Sequence, residues 1–134
     1  MKFFKFLIII FISLTSSIKA DSTNDLIDEL HKGKKIIFIR HAYAPGGGDP
    51  YNFDKKDCST QRNLNHQGVN QSKNLGKFFS KNNIKVDQVL SSEWCRCKDT
   101  AKYAFNEFQT FDALNSFYQA KFAKNKDKQI KDLR

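Results

Sequence analysis

The chain is short of several residue types, and each shortage excludes something. It has only three cysteines and three histidines in 134 residues. Neither type clusters at metal-ligand spacing, so no zinc site is expected. None of the three cysteines has an arginine six positions on, which excludes the phosphate loop of a cysteine phosphatase. The six glycines include Gly46-Gly47-Gly48, but no strand runs into this stretch and no helix out of it, so no nucleotide-binding loop or organic cofactor is expected. Acidic residues are scarce beside basic ones, 14 against 23, giving +9. That imbalance favours anionic partners without choosing among phosphorylated small molecules, nucleic acid and an acidic membrane face. No internal repeat is present.

One apolar run stands out, from Phe6 to Leu14, broken only by Ser13. Lys2 and Lys5 precede it, and a small, polar stretch from Thr15 to Ala20 comes after it. This is the layout of a secretory signal peptide, and the run is short for a membrane span. Cleavage after Ala20 would leave 20 basic against 14 acidic side chains, or +6. We therefore expect a signal peptide over residues 1–20, a domain over 21–134, and a periplasmic or secreted protein. Contact with a membrane is expected only through the leader, if it is retained. In an oxidising compartment three cysteines allow one disulfide and one free thiol. Cys95 and Cys97 would point to nearly opposite sides of a helix, so at most one of them can meet Cys58.

The remaining sequence has enough apolar content, 40% with 13 Phe, for a real core. Residues 25–31 read as a short helix stopped by Gly33. Ile36-Ile37-Phe38-Ile39 is continuous rather than alternating, which predicts a central strand covered on both faces. A Gly/Pro/Asp-rich stretch over 44–62 predicts a long loop, functional or mobile. Asn65 is placed to cap a helix over 66–81, with Val69, Ser72, Leu75 or Gly76, and Phe79 on one stripe. Residues 86–90 read as a second strand, and Ser91-Ser92 as the cap of a further helix carrying Trp94, Cys97, Ala101 and Phe105 at helical spacing. Residues 111–118 read as extended chain or loop, and 121–134 as a lysine-rich helical stretch. Strand, loop, helix, strand, helix predicts an α/β fold with a parallel sheet.

Three segments carry candidate chemistry. Arg40-His41 ends the first strand, at the edge where open α/β sheets bind ligands. Arg62-x-Leu64-x-x-x-Gly68 opens the first long helix. Ser91-Ser92-x-x-x-Arg96-x-x-x-Thr100-Ala101 closes the second strand and opens the next helix. Together, in this order, they resemble the N-terminal signature of the histidine phosphatase superfamily, the phosphoglycerate-mutase-like phosphatases. Gly48-Asp49-Pro50, the Asp57–Leu64 run and Trp94-Cys95-Arg96-Cys97 look like an exported bacterial branch of it, over about residues 33 to 120.

The resemblance implies a three-layer sandwich with a mostly parallel central sheet flanked by helices. It also implies phosphoryl transfer through a phosphohistidine on His41, with Arg40 and Arg96 as a phosphate clamp and Arg62 lining the pocket. The chemistry suits these side chains. A neutral imidazole splits one hard displacement into two easier ones, and guanidinium forks match phosphate oxygens. The expected partner is a phosphomonoester, a phosphorylated side chain or phosphate itself; nucleic acid is not expected. Two departures stand out. Ala42 takes the place of the family's usual glycine, a tolerated exchange. The family's second histidine, borne on a later strand, has no counterpart, since His31 and His66 lie in the wrong order and context. The loss of that donor is worth roughly a few kcal/mol of transition-state stabilisation. The sequence therefore reads as C-terminally truncated, with an incomplete sheet, and the alternative to an enzyme is a phosphate- or polyanion-binding remnant without turnover.

Overall fold

The computed structural model describes residues 22–134. The leader expected over residues 1–20 lies outside them. No helix among the described residues is long and apolar enough to cross a membrane.

Four helices form in the stretches expected to be helical, three of them with shifted ends. Helix α1 spans Ser22–His31 and ends at Gly33, whose φ of +66° is a conformation other residues resist. Helix α2 spans His66–Lys81, with the Asn65 side chain accepting from the Gly68 amide at 3.0 Å. Helix α3 spans Cys95–Phe105 and α4 spans Lys126–Asp132. The start of α3 differs from expectation. Ser92 Oγ accepts from the Trp94 amide at 3.2 Å, so the hydroxyl shapes the approach and helical backbone starts three residues later.

Helices α2 and α3 make the main packing interface of the molecule. One glycine lets them in. A Cβ on Gly76 would lie 2.1 Å from the carbonyl oxygen of Ala104, so the two backbones touch where only hydrogen fits. Phe79 and Phe105 meet edge to face beside this contact, with ring centres 5.2 Å apart. Phe79 and Ser72 are buried, as the stripe predicts, while Val69 is only half-buried.

Strands β1 (Leu90–Ser91) and β2 (Gln109–Thr110) pair in parallel, with α3 as their crossover. The α/β class and the parallel pairing are thus present. Among the described residues the sheet consists of these two short strands. The predicted strand at 86–90 pairs only at its last residue. The predicted burial of Ile36–Ile39 is overturned: the run carries no strand pairing, and Ile36 and Phe38 are 84% and 76% exposed. An apolar run states a demand for cover, and the described residues meet it on one side only, leaving Ile37 and Ile39 45% exposed.

The long loop over 44–62 is fastened rather than loose. Phe53 stacks on Trp94 at 5.1 Å, and Phe122 closes on both rings at 5.9 and 5.5 Å. The Gln61 side chain accepts from the Cys95 amide at 2.9 Å and donates to the Asp54 carbonyl at 2.9 Å. The disulfide joins Cys58 to Cys95 and leaves Cys97 free. At the far end, the buried Gln129 of α4 donates to the Asp112 carbonyl at 2.8 Å, docking the lysine-rich tail.

Candidate active site

The two residues after His41 fix its position. Ala42 is buried, and its amide donates to Thr100 Oγ1 of α3 at 2.9 Å. The Tyr43 amide donates to Gln71 Oε1 of α2 at 2.8 Å. Gly68 lies against the Tyr43 backbone so closely that a Cβ there would come within 2.0 Å of the Tyr43 carbonyl oxygen. The glycine of the second motif is thereby explained: it lets the first turn of α2 touch the segment that carries the histidine.

The half-buried imidazole places Nδ1 2.7 Å from the Ala42 carbonyl oxygen. A carbonyl only accepts, so Nδ1 carries the proton and the neutral ring keeps its lone pair on Nε2. Burial pushes the His41 pKa below its ordinary value. The bond to the Ala42 carbonyl opposes this, and the charges of Arg96, Arg62 and Arg40 add to the depression. The result is a neutral, single-tautomer imidazole in a field of three guanidinium groups.

Those arginines are held differently. Arg96, in the first turn of α3, is only 8% exposed. It forms a two-pronged ion pair with Asp49, Nη1 to Oδ1 at 2.5 Å and Nη2 to Oδ2 at 3.2 Å, and Nη1 also reaches the Arg62 carbonyl at 3.4 Å. Arg62 donates from Nε to the Gly48 carbonyl at 2.9 Å and from Nη1 to the Ala44 carbonyl. It therefore folds the glycine loop back over the site. Arg40 is exposed and makes no hydrogen bond or ion pair with a described residue.

Asp49 stands in the Gly48-Asp49-Pro50 stretch that carries part of the family resemblance, but the sequence alone assigned it no role. Burial would raise its pKa, but hydrogen bonds from Arg96 and from the Trp94 indole, with the Arg96 charge, outweigh that and hold the carboxyl below the usual range. Glu93, also near the third motif, is occupied: Lys55 and Asn115 both bind its carboxylate and keep its pKa low. It is a structural anion, not a proton donor in waiting. His31 bonds to the Asn82 carbonyl and His66 to Asn70, so neither contributes to the cluster around His41.

The family model for the histidine phosphatase superfamily (branch 1) matches residues 36–122. That span is well over half of the chain and contains all three motifs. The chain belongs to the histidine phosphatase superfamily. No curated protein and no solved structure gives a match. Within this histidine phosphatase domain the matched region begins at the exposed Ile36 run and ends at Phe122, the ring that closes the Phe53–Trp94 cluster. The superfamily membership and the site geometry come together at one place, the junction of the His41 segment with the N-terminal turns of α2 and α3.

Proposed function

We propose that the protein is a phosphatase-type phosphoryl-transfer enzyme acting on a phosphomonoester or a phosphorylated side chain. Nε2 of His41 attacks phosphorus, the ester P–O bond breaks, and water then hydrolyses the phosphohistidine to release inorganic phosphate. Arg40, Arg62 and Arg96 bind the phosphoryl oxygens and stabilise the charge that spreads over them during transfer. The observation that carries this reading is the neutral imidazole of His41, proton fixed on Nδ1, within the field of three arginines. The test is incubation with a generic phosphomonoester and then trapping of an acid-labile phosphoenzyme. The label must be absent from His41→Ala; equal turnover in that variant would end the reading.

A second reading, binding of phosphate without turnover, is favoured by one observation. Neither His31 nor His66 joins the cluster, so a second histidine is lacking among the described residues. Phosphate-dependent thermal stabilisation with no labelled histidine would select it.

Export to the periplasm or the outside of the cell belongs to the same proposal, and the Cys58–Cys95 disulfide supports it, since such bonds persist in oxidising compartments. The three-layer arrangement of sheet and helices belongs to the same proposal.

A further inference from the structure

The Gly-Asp-Pro turn brings a carboxylate into a site that should attract phosphate. A negative charge there ought to weaken anion binding, unless its contribution to geometry outweighs its charge. Asp49 is held too firmly to be a passing occupant. Its side chain is 5% exposed, and it accepts from Arg96 Nη1 and Nη2, from Trp94 Nε1 at 2.9 Å and from the Arg62 amide at 3.4 Å. It thus ties three elements together: the glycine loop, the lead-in to α2 and the first turn of α3.

We propose that Asp49 is the positioning residue of the phosphate site, holding Arg96 in one rotamer so that its guanidinium meets the phosphoryl group already oriented. The inference rests on the phosphoryl-transfer reading above and deepens it. Two further features fit. Arg96 Nε is buried and has no hydrogen-bond partner, an orphan donor that a phosphate oxygen would satisfy. Three guanidinium groups and one carboxylate leave two net positive charges, which match a phosphomonoester dianion of about −1.5 to −2.

The test separates geometry from charge by the sign of one effect. Binding of inorganic phosphate is measured by calorimetry on the oxidised chain, wild type and Asp49→Asn, with thermal melts of both. Asparagine removes a negative charge, so a purely electrostatic role predicts tighter binding. Positioning predicts weaker binding by about tenfold or more, the scale on which partners that orient a site's ligands act. Equal or tighter binding by D49N overturns the inference and leaves the phosphoryl-transfer reading standing. No phosphate binding by the wild type removes that reading and the inference with it. A readout that needs no variant guards against misfolding of D49N: phosphate must shift the Arg96 Nε–H resonance of the wild-type chain. Phosphate binding that leaves this resonance unmoved also overturns the inference.

Discussion

Thr100 Oγ1 accepts the Ala42 amide at 2.9 Å and donates to the Arg96 carbonyl at 2.7 Å. One hydroxyl thus links the residue beside His41, 58 positions before Thr100, to the backbone of the buried arginine. This is the physical content of the threonine in the third motif.

Thr100→Val keeps the shape and deletes both bonds, leaving the buried Ala42 amide unpartnered. We expect a loss of about 1–3 kcal/mol in urea unfolding. Thr100→Ser should recover most of it. A valine variant as stable as the wild type would mean that the link carries no energy.

Helix propensity predicts that Gly76→Ala should stabilise α2 by about 1 kcal/mol. The contact with Ala104 predicts the opposite sign, because the added methyl meets backbone that cannot turn aside. We expect destabilisation of about 2–3 kcal/mol, and a similar effect for Gly68→Ala against Tyr43. Gly47→Ala, with nothing within 4 Å and no positive φ, is the control. It should stay within about 0.5 kcal/mol.

The disulfide spans 37 residues and pins the long loop to the start of α3. Chain-entropy reasoning assigns it about 3–4 kcal/mol, so reduction or Cys58→Ala with Cys95→Ala should lower the unfolding midpoint accordingly. Cys97→Ala should leave the disulfide and most of the stability intact. Burial pushes the Cys97 thiol above its ordinary pKa, so alkylation of the native chain should be slow at neutral pH and speed up on the alkaline side. Peptide mapping under non-reducing conditions that finds Cys97 in the crosslink would contradict the pairing.

His41 titrates below its ordinary value of 6.5. Between the folded value and 6.5 the unfolded chain binds the extra proton and the folded chain does not. Stability therefore rises with pH across that window and is lost as pH falls through it. The same depression keeps the nucleophile neutral under mildly acidic conditions. The acid limb of phosphoenzyme formation should therefore lie below 6.5, and Arg62→Gln should move it upward by removing one of the charges that depress it. An acid limb well above 6.5 would show that another group controls the step.

Local rules made some features readable and not others. The Asn65 cap, the Phe79 stripe and the Gly33 stop are decided within a few residues, and they appear where the spacing puts them. That at most one of Cys95 and Cys97 can meet Cys58 is also local, but which of them does so is decided by the fold, which selects Cys95. The Ile36–Ile39 run failed because burial is a property of what lies alongside, and composition does not state whether anything does. Within the site, His41, Arg62 and Arg96 could be singled out as candidates because their motifs recur as patterns. The ion pair of Asp49 with Arg96 could not, since an acid in a Gly/Pro-rich loop does not announce its partner and only folding brings it under Arg96. The bonds of Gln61 and Asn115 to the Cys95 and Glu93 amides, made from distant loops, were hidden for the same reason.

Among the described residues the tethers of the His41 segment lie downstream of it: the Ala42 and Tyr43 amides and the close approach of Gly68. The bare Ile36–Ile39 stretch upstream contributes none of these tethers. Assembly of the reaction centre and assembly of the sheet are thus separable events in this chain. A strand arriving beside residues 36–39 would stiffen the approach to the histidine without having to relocate it.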